Sequence, residues 1–384
     1  MRKKILTVVG ARPQIIKAAA VSRAISGQFN SELHEVIVHT GQHYDEAMSQ
    51  VFFNELGIPQ PDYNLHVGSG SHGAQTALML DGLEKLILSE RPDAVLVYGD
   101  TNSTLAASLA ASKMHVPVVH VEAGLRSFNK SMPEEINRIV CDHSSTLLFT
   151  PTQSGLQNLL NEGFKQFESE RYSIDHPGIF LCGDVMFDNS MHYSNLAAKQ
   201  SQILNRLQLD NKSPFILATI HRDNNTDDPQ RLKSIFNSLF AVAEKTGMQI
   251  ILPLHPRTKK MMAQVLEADL QQRIEKNDRI RLIEPASFLD MIQLESNSTL
   301  IITDSGGVQK EAYFFQKPCV ILRPQTEWIE LVNNGNAILA DADSDRIQQA
   351  ADQLLSKNDF TWPAFYGDAH AAEFICTTIN RYIG

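Results

Sequence analysis

Short apolar runs alternate with amphipathic stretches along almost the whole chain. The runs are four to six residues long, as buried strands are, and the stretches between them have the period of helices. Strands that are apolar on both faces and separated by helices are typical of parallel, doubly wound sheets. The pattern therefore predicts an α/β fold with ten strands, over residues 4–9, 35–39, 94–98, 118–121, 147–150, 215–219, 249–254, 280–283, 299–303 and 319–322.

Two Rossmann-like domains account for these strands more economically than one very wide sheet. The length of 384 residues also exceeds what one ordinary core supports. The pattern is interrupted at Pro177-Gly178, so we predict an N-terminal domain over 1–175 and a C-terminal domain over 176–368. The remaining helical segment, 369–384, is expected to cross back onto the first domain.

The composition of the chain argues against several classes of protein. The net charge of −10 argues against a nucleic-acid surface, and no apolar stretch is long enough to span a membrane. The N-terminus lacks the apolar segment of a signal peptide. The four cysteines are scattered, without the spacing of a zinc or redox motif. These features predict a cytoplasmic protein that binds neither nucleic acid nor membrane.

The second half contains a candidate nucleotide site. Ser305-Gly306-Gly307 follows an apolar strand and opens a helix, so the backbone can approach a pyrophosphate at the positive end of the helix dipole. Glu311 then lies about 1.5 turns into that helix, near the expected ribose. An ordinary strand–helix turn would have the same glycines. The companions that favour a nucleotide are the His221-Arg222 pair as a phosphate clamp or proton donor to the leaving group, Phe288 as a stacking surface and Arg323 after the last strand.

The first half offers cations and hydrogen-bonding groups at its strand ends. Arg12 and Lys17 surround a helix start that lacks the GxGxxG of a dinucleotide site, and the pair suits a phosphate. A solvated Arg–Lys pair is the simpler interpretation. Gln42 and His43 follow the second strand and suit sugar hydroxyls or an amide, although a capped turn explains them equally well.

Three carboxylates also belong to these strand-end loops. Asp100 and Glu122 follow the third and fourth strands, and Glu134 begins a helix. Since ligands bind at the carboxyl ends of parallel strands, the three together predict general acid–base chemistry. Asp100 could instead cap a helix, and Glu134 could simply interact favourably with the positive end of the helix dipole. A metal cluster is a further alternative, but no calcium loop or HExxH helix is present in the sequence.

Seven segments in order resemble the non-hydrolysing UDP-N-acetylglucosamine 2-epimerases. They run from residue 10 to beyond residue 310 and are GARPQIIK, TGQHYD, YGDTNST, HVEAGLRS, MPEEINR, the His221-Arg222 strand end and TDSGGVQKEA. The resemblance implies two Rossmann-like doubly wound domains facing a cleft, the arrangement of GT-B glycosyltransferases. It also implies a homodimer that acts on a UDP-sugar and uses no redox cofactor or obligate metal.

The same resemblance implies roles for individual residues. Asp100, Glu122 and Glu134 match the catalytic carboxylates, and His221 matches the active-site histidine near the pyrophosphate. The positions that match first-loop cations, the UDP turn and the ribose contact are Arg12, Lys17, Ser305, Gly306, Gly307 and Glu311. The implied reaction eliminates UDP across C1–C2 to leave a glycal. UDP then adds back after a proton has returned to the other face of C2.

Two departures from the common family pattern affect the choice of sugar. Gln14 replaces a glutamate, and Arg222 is followed by Asp-Asn-Asn instead of Arg-Glu-Asn. Both resemble the branch that acts on UDP-2,3-diacetamido-2,3-dideoxyglucuronate. A neutral Gln14 near the sugar would remove a like charge from a substrate that carries a carboxylate. UDP-N-acetylglucosamine remains the first expectation and the diacetamido-uronate the alternative.

Other functions fit part of the pattern. A GT-B glycosyltransferase shares the fold and the nucleotide turn, but it needs an acceptor and has no reason to exchange a C2 hydrogen. A hydrolysing relative would release UDP and free N-acetylmannosamine, and a UDP-sugar sensor would have little use for three carboxylates. The carboxylate set of the first half therefore favours an epimerase.

Overall fold

The computed structural model of this protein describes residues 2–42, 57–209 and 213–384. They form two compact units, each with its own parallel sheet. The first unit comprises Met1–Asn189 and Ala364–Gly384, and the second comprises Ser190–Pro363. The α/β class and the two Rossmann-like sheets predicted from the sequence are confirmed.

The first unit contains a seven-stranded sheet with the order β3-β2-β1-β4-β5-β6-β7, in which all described pairings are parallel. Its strands are β1 (Lys3–Val9), β2 (Leu33–His39), β3 (Tyr63–Asn64), β4 (Ala94–Tyr98), β5 (Val118–Val121), β6 (Leu147–Thr150) and β7 (Gly178–Leu181). Its helices are α1 (Arg12–Ser26), α2 (His72–Glu90), α3 (Asn102–Lys113), α4 (Pro133–His143), α5 (Gln153–Asn161) and the first residues of α6 (Val185–Gln200).

The second unit contains a six-stranded parallel sheet with the order β10-β9-β8-β11-β12-β13. Its strands are β8 (Phe215–Thr219), β9 (Gln249–Pro253), β10 (Ile280–Ile283), β11 (Leu300–Thr303), β12 (Cys319–Ile321) and β13 (Ala337–Leu339). Its described helices are α7 (Ile203–Arg206), α8 (Asp223–Thr226), α9 (Pro229–Thr246), α10 (Pro256–Val265), α11 (Ala268–Glu275), α12 (Phe288–Asn297), α13 (Gly306–Phe314), α14 (Ile329–Asn333) and α15 (Ser344–Ser356).

Apolar side chains on the central strands of each sheet explain why the strands form where they do. In the first unit β4 is buried along its whole length, and its Val95 and Val97 pack with Leu6 and Val8 of β1. In the second unit the β8 residues pack against α9 and α15. Polar side chains then begin several helices, as Thr101 does for α3 and Ser305 for α13.

The boundary between the units lies later than the predicted residue 175. β7 was assigned to the second domain because Pro177-Gly178 interrupts the pattern, but this strand pairs with β6 in the first sheet. The Gly178 N–H donates to the Thr146 carbonyl at 2.9 Å, so this glycine continues the sheet instead of ending it. The first unit resumes at Ala364, and the C-terminal helix α16 (Ala371–Tyr382) packs against α1.

Candidate functional site

The carboxyl end of β5 and the helix α1 bring a glutamate and a lysine into contact. Glu122 directly follows β5 with a φ of +76°, a left-handed conformation that non-glycine residues rarely adopt. The Phe149 carbonyl holds this turn by accepting from the N–H groups of Glu122 and Ala123, at 3.0 and 2.9 Å. The Glu122 carboxylate forms an ion pair with Lys17 of α1, and both side chains are largely buried. Glu122 is therefore held beside a fixed cation.

Gly99 provides the space for this ion pair. Its φ is +60°, and a Cβ atom there would lie 3.2 Å from Lys17 Nζ and 3.3 Å from Glu122 Oε2. Burial acts to lower the pKa of Lys17, but the carboxylates of Glu122 and Asp100 raise it above its usual value. The ammonium group therefore stays charged and neutralises Glu122. The sequence predicted a phosphate contact for Lys17 and did not indicate this pairing.

Asp100, at the end of β4, is held by α4. Its carboxylate pairs with Arg138, and its backbone carbonyl accepts a hydrogen bond of 2.9 Å from Asn137 Nδ2. The cap of α3 is Thr101, whose hydroxyl accepts from the Thr104 N–H, so Asp100 does not have the capping role considered for it. The Asp100 side chain keeps 29% of its surface exposed. Its orientation is fixed while its carboxylate remains open to a ligand.

Two neighbouring glutamates at the start of α4 differ completely in their surroundings. Glu135 is 1% exposed and accepts hydrogen bonds from the N–H groups of Ser127 and Phe128, both at 2.9 Å, and from Arg138. Glu134 is exposed and has no hydrogen bond or ion pair with any described residue. Glu135 therefore holds the loop before α4, and Glu134 is the carboxylate that can meet a substrate.

A buried network joins the ends of β4 and β5 behind these residues. His120 Nδ1 lies 2.7 Å from Asp142 Oδ1, and its Nε2 lies 2.9 Å from the Gly99 carbonyl. Asp142 Oδ2 accepts from the Gly124 N–H at 3.1 Å and pairs with Arg126 at 2.7 Å. The side chains of His120 and Asp142 have no exposed surface. We assigned no role to either residue from the sequence, although a histidine inside the apolar run 118–121 was a signal.

Gln14 is a structural residue that does not face a ligand. It is 1% exposed, and its Oε1 accepts from the N–H groups of Gly10 and Ala11 at 2.9 and 3.2 Å. Its Nε2 donates to the Tyr98 carbonyl at 2.8 Å and to the Thr104 hydroxyl at 2.9 Å. The amide therefore uses both donors and both acceptor positions within the protein. No polar atom of Gln14 is left for a sugar, so the structure gives no support to the expectation that its neutrality accommodates a charged substrate.

The remaining predicted residues of the first unit have different surroundings. Arg12 is exposed as the first residue of α1. Gln42 Oε1 accepts from the Ser103 hydroxyl at 2.8 Å, so part of this side chain fixes the start of α3. His43 lies outside the described residues. Arg12 is thus a cation exposed at a helix N-terminus, and part of the Gln42 side chain is used within the protein.

In the second unit a buried aspartate organises the end of β8. Asp304, directly after β11, accepts from the N–H groups of His221 and Arg222 at 3.1 and 3.0 Å and from Asn225 Nδ2 at 3.1 Å. Burial acts to raise the pKa of Asp304, but the His221 ring, Asn225 and the Arg222 N–H lower it below its usual value. Asp304 Oδ1 also lies 3.1 Å from His221 Nδ1, so Asp304 fixes a half-exposed histidine.

Asp304 had no role in the sequence-based prediction. A carboxylate directly after an apolar parallel strand was the available signal, because burial of such a group is costly unless it is paired. The same reasoning had already drawn attention to Glu122.

The N-terminus of α13 gathers groups that favour an anion. Ser305 is its N-cap, and a Cβ atom on Gly306 would lie 3.7 Å from Arg323 Nη1, 3.8 Å from Trp328 Nε1 and 4.0 Å from Arg222 Nη2. Two guanidinium groups therefore approach a helix start whose own N–H groups and dipole attract negative charge. The indole of Trp328 donates to the Gly306 carbonyl at 3.0 Å. This arrangement suits a diphosphate.

Glu311 and Phe288 lie at the same edge of the second sheet. A Cβ atom on Gly307 would lie 4.0 Å from Glu311 Oε2, so this carboxylate is beside the glycine turn. Burial and the charge of Glu311 raise the pKa of the neighbouring Glu295 well above its usual value. Phe288 begins α12, and its ring packs edge-on against Tyr193 with centroids 5.2 Å apart. The loops after β8 and β12, which contain His221 and Arg323, and the start of α13, with Ser305, Gly306, Gly307 and Glu311, thus lie at one edge of one sheet.

Two kinds of feature are absent from the described part of the chain. None of its helices combines the length and the apolar character needed to span a bilayer. The same residues contain no group of three or more His, Cys, Asp or Glu side chains that could hold a metal ion.

The family model described as UDP-N-acetylglucosamine 2-epimerase matches residues 27–380. The chain belongs to this family. The match includes Asp100, Glu122, Glu134 and His221, and it begins after the first-loop cations. The resemblance predicted from the sequence is confirmed.

Individual members of the UDP-N-acetylglucosamine 2-epimerase family are similar to the chain over most of its length. A UDP-N-acetylglucosamine 2-epimerase homolog of Methanococcus maripaludis is 49% identical over 90% of each chain. The UDP-2,3-diacetamido-2,3-dideoxy-D-glucuronate 2-epimerase of Pseudomonas aeruginosa is 47% identical over 98% of this chain and 99% of its own. The crystal structure of the Methanocaldococcus jannaschii UDP-GlcNAc 2-epimerase, in complex with UDP-GlcNAc and UDP, matches with a TM-score of 0.80 at 39% identity, covering 98% and 99% of the two chains.

Proposed function

We propose that this protein is a non-hydrolysing UDP-N-acetylglucosamine 2-epimerase that interconverts UDP-N-acetylglucosamine and UDP-N-acetylmannosamine. The observation that carries the proposal is the pairing of two kinds of site in one chain of this family. The second unit has a cationic helix N-terminus suited to a diphosphate, and the first has Asp100, Glu122 and Glu134 at its strand ends and helix start. A reaction that releases UDP and moves a C2 proton needs both.

In the first unit the carboxylates supply proton transfer. The C2 proton of the sugar is weakly acidic, so a positioned base and a good leaving group must act together. Glu122 is fixed beside Lys17, and Asp100 is oriented by Arg138, which makes either one suited to handle the C2 proton. Glu134 is exposed and assists from the opposite face of C2. The proton returns to that face before UDP adds back.

In the second unit the groups around α13 stabilise the departing UDP. Negative charge develops on the diphosphate as the C1–O bond breaks, and Arg323, Arg222 and the helix N-terminus lie close enough together to stabilise it. His221, fixed by Asp304, stands beside them as a donor to the leaving oxygen. Glu311 is the proposed ribose contact and Phe288 the proposed stacking surface for uracil. Arg12 of the first unit is a further proposed phosphate contact, and Gln42 a proposed sugar contact.

Hydrogen exchange at C2 tests this proposal. The protein is incubated with UDP-N-acetylglucosamine in D2O and the sugar is followed by NMR. We expect deuterium at C2 in both epimers while the UDP-sugar stays intact. Stoichiometric accumulation of free UDP would indicate hydrolysis, and absence of exchange with any UDP-sugar would contradict the proposal. A glycosyltransferase would show no C2 exchange without an acceptor.

A second candidate substrate is UDP-2,3-diacetamido-2,3-dideoxyglucuronate. The similarity to the Pseudomonas aeruginosa epimerase supports it, since that relative is matched over nearly its whole length. Asp223 and Asn224, the departures from the common pattern next to His221-Arg222, are exposed on α8. The exchange experiment with both sugars in equal concentration decides between them, because the preferred substrate is labelled first.

The family resemblance also supports a homodimer in the cytoplasm as the working form. Sedimentation of the purified protein at micromolar concentration tests the oligomeric state. We expect twice the chain mass of 42.9 kDa, and a monomer at all concentrations would exclude the dimer.

A further inference from the structure

We propose that His120 and Asp142 are positioning residues for the proposed C2 chemistry. They hold the backbone of Gly99 and of the turn after Glu122, and through it the two carboxylates nearest the proposed proton transfer. This inference rests on the proposed epimerase function. Neither side chain has exposed surface, so neither touches the substrate, and both act through residues that do.

The hydrogen-bond partners of His120 define its protonation state. Asp142 Oδ1 lies 2.7 Å from Nδ1 and the Gly99 carbonyl lies 2.9 Å from Nε2. A carboxylate and a carbonyl can only accept, so both ring nitrogens must carry hydrogen and the ring is an imidazolium. Its charge is compensated by Asp142, which also pairs with the buried Arg126. The ring is thus locked by two charge-assisted hydrogen bonds.

The first contact of the network fixes Gly99. Its carbonyl is held by His120, and its N–H donates to the Val121 carbonyl at 3.0 Å. Gly99 immediately precedes Asp100, and its α-carbon faces the Lys17–Glu122 ion pair. Rotation of this peptide would reorient Asp100 and reduce the space for the ion pair. Holding one carbonyl therefore positions both carboxylates.

The second contact fixes the turn that contains Glu122. Gly124 has a φ of +79° and Glu122 a φ of +76°, so two of three consecutive residues are left-handed. A glutamate rarely adopts such a conformation and keeps it only where its surroundings enforce it. The Phe149 carbonyl holds the turn at Glu122, and Asp142 holds it at Gly124. Asp142 thus helps to maintain the strained backbone that directs Glu122 towards Lys17.

Two substitutions of His120 separate this role from a purely structural one. In His120→Gln the side-chain amide can replace Nε2–H and still donate to Gly99. In His120→Asn the shorter amide replaces Nδ1–H and reaches Asp142 instead. Both variants lose the positive charge, so their stabilities should be similar while their effects on Gly99 differ. We expect kcat to fall about 10²-fold in His120→Asn, the size of loss that small misplacements cause, and within about tenfold in His120→Gln.

The KM for the UDP-sugar and the affinity for UDP should stay near the wild-type values in both variants, because the proposed UDP contacts of the second unit are unchanged. Equal kcat values in the two variants, or a change in KM alone, would overturn the positioning role. If both variants fail to fold, as judged by circular dichroism, Asp142→Asn gives the same test: its single amide oxygen can accept from Gly124 or from His120 but not from both, so one contact is lost and kcat should fall without a change in KM.

The wild type separates failure of this inference from failure of the proposed function. Absence of C2 exchange in the wild type with any UDP-sugar contradicts the epimerase function itself. Exchange in the wild type together with equal loss in His120→Gln and His120→Asn contradicts the positioning role alone.

Discussion

At the scale of single residues, Glu134 and Glu135 differ because adjacent positions on a helix point in different directions. Glu135 turns inwards and holds Ser127 and Phe128, whereas Glu134 turns to solvent. The sequence could place both at a helix start but could not tell which one the loop would use. The burial of Gln14 could not be predicted from the sequence either, since its partners Tyr98 and Thr104 are distant in the chain. Tertiary contacts of this kind have no local signature.

This difference predicts opposite effects for two matched substitutions. Glu134→Gln should leave the melting temperature unchanged and abolish C2 exchange. Glu135→Gln removes a buried charge that two backbone N–H groups and Arg138 require, and should lower the free energy of unfolding by about 1–3 kcal/mol. Circular dichroism and the D2O experiment measure the two effects. Destabilisation by Glu134→Gln would show that its side chain is also used structurally.

His120 predicts a pH dependence of stability. Burial acts to lower the pKa of His120, but the neighbouring Cys141 and the Asp142 carboxylate raise it well above its usual value of 6.5. The folded state then keeps a proton that the unfolded state releases. The stabilisation from this ring is complete below about pH 6.5 and falls by about 1.4 kcal/mol per pH unit above it, until the raised pKa is passed.

Thermal unfolding between pH 6.5 and 8.5 checks this prediction. The melting temperature of the wild type should fall more steeply with pH than that of His120→Gln. Trp328 and Trp362 both belong to the second unit, so tryptophan fluorescence identifies that unit's transition and circular dichroism reports the rest. Parallel pH profiles for the two proteins would show that the ring is not charged.

At the scale of elements, some strands and turns could be predicted from the sequence and others could not. Most of the ten predicted strands were recognisable because their apolar residues are buried on both faces, as those of β4 and β8 are. The three that were missed, β3, β7 and β13, are edge strands of two, four and three residues, too short for an apolar run to stand out in the sequence. Missing β7 shifted the predicted boundary. The glycines at the start of α13 and the His221-Arg222 strand end were recognisable from the sequence, but Trp328 beside them was not.

The position of Trp328 predicts a direct signal for UDP. Its indole is 8% exposed, donates to the Gly306 carbonyl and has Lys310 Nζ 4.3 Å from the ring centroid. A diphosphate at the start of α13 would alter this environment, so UDP should change the tryptophan fluorescence and uridine should change it little. Trp362→Phe should keep the response and Trp328→Phe should lose it. The reverse result would place the nucleotide elsewhere in the second unit.

At the scale of the whole molecule, each sheet has its own hydrophobic core and its own set of candidate functional side chains. The first unit contains the paired carboxylates, and the second contains the cations around α13. The family and the fold were predictable because motifs at strand ends occur in a fixed order along the chain. The sugar was not, because the argument from Gln14 depended on a contact for which its buried amide has no polar atom left.

This separation predicts that catalysis and nucleotide affinity can be altered independently. Glu122→Gln should lower C2 exchange by about 10²–10⁴-fold, the usual contribution of a general base, and leave the Kd for UDP unchanged. Arg323→Ala should raise that Kd about 10–10²-fold, since a hydrogen bond to a charged group contributes about 1.5–3 kcal/mol. Glu327→Gln is the matched control: Glu327 pairs with Arg323 through two hydrogen bonds of 2.9 and 2.8 Å, so its neutralisation frees the guanidinium and should not weaken UDP binding. Loss of UDP affinity in Glu122→Gln would instead assign Glu122 to the nucleotide.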